Sequence, residues 1–210
     1  MFGDSICFGQ LVSPHQTWVN YLSIKSAELF KDKITIQNCS VNGDTTRLAL
    51  ERFGYQISTK NPDVVLVQFG MNDCNFWDTG LGLPRVSKLA FEANLVEIIN
   101  NCFVSGSKIV FLSTNHPSNK SYFKSKPELT HGKSNKHYNH IIKNVYKKFE
   151  SENKKVFLLD NEKLFENELF DKKIAVSNFL LEDGVHLNVN GHLLYRKTVD
   201  KILKILKSKL

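Results

Sequence analysis

Three short runs of almost unbroken apolar residues constrain this chain most: Val64–Phe69 (VVLVQF), Lys108–Ser113 (KIVFLS) and Val156–Asp160 (VFLLD). A strand with one wet face alternates apolar and polar residues. A run that is apolar throughout belongs to a strand covered on both faces, as in parallel sheets. Ile34–Asn38 adds a shorter β-branched run. Between the runs, apolar residues recur at helical spacing. The sets are Trp18, Leu22, Leu29 and Phe30; then Leu48, Phe53 and Ile57; then Val86 through Ile99; then Tyr138 through Phe149; and last Leu193 through Leu206. Alternating strands and helices predict βαβ units around a parallel sheet, an α/β fold. Right-handed crossovers then place helices on both faces.

With 210 residues the chain is expected to form a single domain over 1–210. A chain of that length buries roughly 70% of its unfolded surface and needs no staple. Its 41% hydrophobic and 23% charged residues exclude a disordered or collagen-like chain. No linker, repeat or low-complexity tract interrupts it. Asn75–Pro84 and Pro117–His131 are rich in Asn, Gly, Ser and Pro and are expected to be loops. No run of 18 apolar residues occurs, so no membrane span is expected.

The opening Met-Phe-Gly-Asp-Ser has neither a basic flank nor an apolar stretch, unlike a signal peptide. Cys7, Cys39, Cys74 and Cys102 show no CxxC spacing. Together these predict a reduced, cytoplasmic protein with no metal site and no cofactor. The net charge of +7 comes largely from lysines in the last third, from Lys143 to Lys209. Solvated faces of amphipathic helices account for them, and no nucleic acid is expected as partner.

In an open parallel sheet, ligands bind at the carboxyl ends of the strands. Polar residues gather there: Gly3-Asp4-Ser5, Asn42-Gly43-Asp44, Gly70-Met71-Asn72-Asp73, Thr114-Asn115-His116-Pro117, and Asp183-Gly184-Val185-His186 before the last helix. Each alone has a plain structural reading. Ser5 suits a helix N-cap, and Asn42-Gly43 and Asn72-Asp73 suit turns. Together they suit acyl transfer. A serine hydroxyl needs a base to become a nucleophile. A histidine, with an ordinary pKa of about 6.5, is such a base near neutral pH. Asp183, three residues before His186, would orient the imidazole if the two lie on a helical turn. The backbone N–H of Ser5, the N–H of Gly43 and the side-chain amide of Asn72 are three candidate donors to an oxyanion. Glycine at 43 leaves the backbone open to a substrate.

This order of blocks resembles the SGNH hydrolase family, also called GDSL-type esterases and lipases. The matching blocks are Phe2–Ser5 (FGDS), Gly43, Gly70–Asp73 (GMND) and Asp183–His186 (DGVH), and they span nearly the whole chain. The resemblance implies a flavodoxin-like three-layer α/β/α sandwich. It implies Ser5 as nucleophile, His186 as base, Asp183 as its orienting acid, and an oxyanion hole from Ser5, Gly43 and Asn72. Gly43-Asp44-Thr45-Thr46 looks like the thioesterase/lysophospholipase branch. One departure stands out. The family's first strand normally precedes Gly-Asp-Ser by several residues, whereas Met1 and Phe2 alone do so here. The expectation is a truncated first strand or a start further upstream.

Phe76 and Trp77 are candidate substrate-binding residues, as ring platforms or merely loop packing. His116, just after Lys108–Ser113, is a further candidate for touching substrate. His131, His137 and His140 have a spacing that could hold a metal, but no carboxylate or thiol completes it. The expected activity is hydrolysis of a small acyl ester, in the first place an O-acetyl ester on a carbohydrate. The alternatives are an acyltransferase on the same triad, a thioesterase or lysophospholipase, and a basic module that binds acidic glycan or nucleic acid without catalysis. The oligomeric state is left open.

Overall fold

The structure, a computed structural model, describes residues 1–31, 33–77, 82–122 and 128–209. Parts of the two expected loops, 78–81 and 123–127, lie outside the described residues. The three long apolar runs become strands β2 (Val64–Gln68), β3 (Ile109–Ser113) and β4 (Val156–Leu159). With β1 (Phe2–Gly3) they form a parallel sheet in the order β1-β2-β3-β4. Phe2 pairs with Val67, Val65 with Val110, and Phe111 with Phe157.

Alternate residues of these strands enter two different cores, which is why the runs are apolar throughout. Val65, Val67, Val110 and Leu112 pack against helices α3 (Thr46–Gln56), α4 (Lys88–Val104) and α5 (His131–Ser151), through Phe53, Phe91, Leu95, Tyr138 and Ile142. Leu66, Ile109 and Phe111 pack against α2 (Trp18–Phe30), α6 (Asn161–Lys172) and α7 (Val189–Lys209), through Trp18, Leu22, Phe165 and Val199. The result is the α/β/α sandwich. Thr17, Thr45, Ser87 and Thr130 begin α2 to α5 by accepting a hydrogen bond from the N–H three residues on.

One expected strand does not form. Among the described residues, Ile34–Asn38 joins no strand ladder. Its continuation runs beside β1, with the Met1 amine donating to Gln37 O at 2.7 Å, Cys39 N–H to Met1 O at 2.9 Å and Val41 N–H to Gly3 O at 3.0 Å. Among the described residues, β1 is two residues long and Ile34–Ile36 has no strand beside it. Those residues and Val64–Leu66 instead face each other across a cavity of about 610 Å³, also lined by Ile202 and Leu206.

The connections place the site. From β1, α2 crosses one face and brings Gln37–Val41 to one side of β1. From there α3, α4 and α5 cross the other face as the chain proceeds through β2 to β4. The chain thus departs from β1 in both directions, and the crevice at the carboxyl end of such a switch point is where open α/β sheets bind ligands.

Candidate active site

The chain leaves β1 at Gly3 and turns at once into the four-residue helix α1 (Ser5–Phe8). Asp4 caps that helix, its Oδ1 accepting from the Ile6 N–H at 2.9 Å. Ser5 is therefore the first helical residue, 3% exposed at the end of the sheet. His186 comes from 181 residues away in sequence to place Nε2 2.9 Å from Ser5 Oγ, and its Nδ1 lies 2.5 Å from Asp183 Oδ2.

Asp183 and His186 meet through a tight turn, not the helical turn expected from their spacing. Asp183 Oδ1 accepts from the N–H of Val185 and of His186, both at 2.9 Å, and this folds the acid back onto its own loop. Gly184 sits at φ +69°, and a Cβ there would lie 2.3 Å from Asn119 Oδ1, so glycine is required on both counts. Burial raises the pKa of Asp183, but the bonds from His186 and the two N–H groups outweigh it. The net position is below the usual carboxylate value, so the acid stays ionised beside the imidazole.

Two loops bring the other candidates to the same end of the sheet. Gly43 adopts φ +76° and has open space where a Cβ would stand. Its loop is tied down by Arg85, whose Nη1 donates to Gly43 O at 3.0 Å. Arg52 holds the same stretch, donating to Asp44 Oδ2 and to the Cys39 and Gly3 carbonyls. Asn72 follows β2 in a turn, and its Nδ2 is buried with no hydrogen-bond partner among the described residues. Neighbouring Asp73 joins the two loops: its Oδ1 accepts from Thr46 N–H at 2.9 Å and Thr46 Oγ1 at 2.5 Å. Burial pushes Asp73 up to about 6 against those bonds. Sequence reasoning missed this joint, although the Thr45-Thr46 pair opening a helix was a visible sign of capping.

Beneath the site lies a buried polar network. Gln68 Nε2 donates to Asn115 Oδ1 at 2.8 Å, and Asn115 Nδ2 to Phe69 O at 2.9 Å. Asn139 closes it with two bonds of 2.8 Å to the Asn115 backbone. Asp4 sits at its edge. Burial pushes its carboxyl up to about 7, opposed by bonds from Ile6 N–H and Gln68.

The weaker candidates separate. Trp77 keeps its ring 58% exposed and stacks at 4.9 Å on the Arg85 guanidinium, which in turn holds Gly43. Phe76 packs edge-on against Tyr122 at 5.0 Å and belongs to the loop's own packing. His116 is fully buried with both ring nitrogens hydrogen-bonded, so it offers no surface to a substrate. His131 is buried against Ser118 and the Met71 carbonyl, whereas His137 and His140 are exposed, so the three do not converge. Cys7, Cys74 and Cys102 are buried and Cys39 partly so, all as free thiols.

A hydroxyl bonded to an imidazole that is bonded to an ionised carboxylate has the parts for acyl transfer. Comparison with known proteins agrees with that chemistry. Residues 1–194 match the GDSL-like lipase/acylhydrolase family. An arylesterase of Vibrio mimicus is 24% identical over 186 residues, covering 89% of this chain and 78% of that protein. A catalytic mutant of Axe2, an acetylxylan esterase from Geobacillus stearothermophilus, has a similar fold: TM-score 0.74 at 19% identity, covering 95% of this chain and 90% of the other. A lipase/acylhydrolase from Enterococcus faecalis superposes with TM-score 0.71 at 24% identity, covering 96% and 92%. The chain belongs to the GDSL-like lipase/acylhydrolase family, and it is an ester-hydrolysing serine hydrolase.

Proposed function

We propose that the ester bond is cleaved through an acyl-enzyme on Ser5, with His186 as base and Asp183 as its orienting acid. The observation that carries this reading is the continuous line Ser5 Oγ, His186 Nε2, His186 Nδ1, Asp183 Oδ2, with spacings of 2.9 and 2.5 Å. Ser5 Oγ attacks the acyl carbonyl as His186 Nε2 takes its proton. The carbonyl oxygen becomes an oxyanion that accepts from Ser5 N–H, Gly43 N–H and Asn72 Nδ2. Collapse breaks the bond to the alcohol, which leaves with the proton from His186. Water then attacks the acyl-Ser5 ester by the same steps and the acid departs.

The favoured substrate is a small acyl ester, in the first place an acetyl ester of a carbohydrate. The exposed Trp77 ring, tethered through Arg85 to Gly43, supports it as a platform for a sugar face. The similarity in fold to an acetylxylan esterase points the same way. Turnover of acetylated sugars and of longer acyl esters by wild type and Ser5→Ala tests both parts. Ser5→Ala should fold normally and lose kcat by a factor on the order of 10⁶. Acetyl sugars should be preferred over long-chain esters. Retained turnover in Ser5→Ala would overturn the mechanism, and a preference for long chains would overturn the substrate class. Adding a sugar acceptor to the same assay separates hydrolysis from acyl transfer, since transfer makes a new ester.

A further inference from the structure

The segment after β3 reaches beneath the turn that carries Asp183 and His186, and His116 is its innermost residue. The ring is fully buried. Its Nε2 lies 2.8 Å from the Val185 carbonyl oxygen and its Nδ1 lies 3.1 Å from the Tyr195 hydroxyl. A carbonyl oxygen only accepts, so Nε2 carries the hydrogen. Nδ1 is then the bare nitrogen and accepts from the Tyr195 O–H. Burial pushes His116 down to about 3, in keeping with a neutral ring. The ring packs against Phe165 on α6 at 5.5 Å and Tyr195 on α7 at 5.9 Å. From α5, Asn135 Nδ2 holds its backbone carbonyl at 2.8 Å. Three helices thus fix where Nε2–H points.

Val185 stands between Asp183 and His186, so its carbonyl is a handle on the turn that joins acid and base. We propose that His116 is a positioning residue: its ring, held at Nδ1 by the Tyr195 O–H, donates from Nε2–H to the Val185 carbonyl and so aims the His186 imidazole at Ser5 Oγ. This inference rests on the catalytic reading of Ser5, His186 and Asp183 above. A second tether, from Asn119 N–H to Gly184 O at 3.0 Å, acts one residue earlier in the turn. Removing the His116 bond therefore leaves the turn in place but shifts its aim. Misplacement of a reacting group by about 1 Å can cost on the order of 10²-fold in rate.

The test is steady-state kinetics per active site, with sites counted by a fluorophosphonate that labels the nucleophile. His116→Leu fills the space but has no N–H. It should lose kcat by about 10–100-fold while KM stays within about threefold. His116→Gln places an amide N–H at nearly the same reach and should recover kcat to within about threefold of wild type. Tyr195→Phe keeps the aromatic packing but removes the O–H that holds the imidazole at Nδ1, and should lose several-fold in kcat at unchanged KM. A merely structural role would lower the melting temperature and leave kcat per labelled site unchanged. His116→Leu with wild-type kcat overturns the proposal. If that variant fails to fold, wild-type kcat in Tyr195→Phe overturns it instead. If the wild-type enzyme is not labelled at Ser5, it is the catalytic reading that fails; normal labelling at Ser5 with no effect of either variant refutes the positioning role alone.

Discussion

The amide nitrogen of Asn72 is buried without a partner among the described residues, an arrangement that costs about 1–3 kcal/mol. A donor left unpaired at that cost suits a group that waits for an oxyanion. Removing one such donor typically lowers kcat by about 10²–10³. The ground-state carbonyl carries less charge, so KM should move only a few-fold. Asn72→Ala is thus expected to keep its melting temperature and KM and to lose kcat by that factor, measured by steady-state kinetics. If kcat stays within about threefold while Ser5→Ala is dead, Asn72 is not a donor and only the two backbone N–H groups remain. The meeting of Ser5, His186 and Asp183 was legible because each sits in a short block whose order has chemical meaning. The contacts of Asp73 and His116 were not. Both bond to residues far away in sequence, Thr46 and Val185, and a single chain carries no sign of such pairs.

At the scale of elements, β2, β3 and β4 were legible because burial on both faces leaves no room for polar residues. Helix α6 was not. Half of Asn161–Lys172 is charged, its Phe165 is buried, and its Phe170 is 82% exposed, so its apolar stripe is too narrow to stand out. Ile34–Asn38 failed in the other direction. Its β-branched residues suit a strand, but a strand needs a partner, and β1 covers only Phe2 and Gly3. The cavity is lined by Ile34–Ile36, by Val64–Leu66 of β2 and by apolar side chains from α2 and α7. An extended segment of four or five β-branched residues, added ahead of Met1, would continue β1 along β2 into this space. Such an extension is expected to raise the urea midpoint, because it pairs backbone groups and covers apolar surface. An equal midpoint in the extended and unextended chains would show that the cavity does not admit a strand.

Over the whole molecule, the basic surface is partly consumed within the fold. Carboxylates of α6 and its cap take Lys136, Lys143, Lys172 and Lys197 from α5, α6 and α7, through Glu166, Asp160, Glu162 and Glu168. Pairs with exposed lysines such as Lys136–Glu166 stabilise little, but together they spread the positive charge instead of gathering it. Buried titratable groups give a clearer global signature. His116, His131 and His192 are pushed down by burial to about 3, 4 and 4 from 6.5. Between pH 6 and 5 they take up protons on unfolding. Asp4 and Asp73, raised by burial to about 7 and 6 from 3.8, lose theirs on unfolding. Three gained against two lost leaves about one proton bound by the unfolded chain. Stability should therefore fall on acidification, by roughly 1.4 kcal/mol per pH unit. Urea midpoints at pH 6 and pH 5 measure it, and an equal or higher midpoint at pH 5 would contradict this balance of buried histidines over buried carboxyls.

The catalytic claim is also a property of the whole molecule, since the fold alone brings Ser5 and His186 together across 181 residues. It is tested most directly by trapping the covalent intermediate. The enzyme is mixed with an activated acetyl ester, quenched in acid within the first turnovers, digested and examined by mass spectrometry. One acetyl group is expected on the peptide containing Ser5, absent from Ser5→Ala. An acetyl group on any other residue that accumulates and decays at the rate of turnover, with Ser5 unmodified, would contradict it.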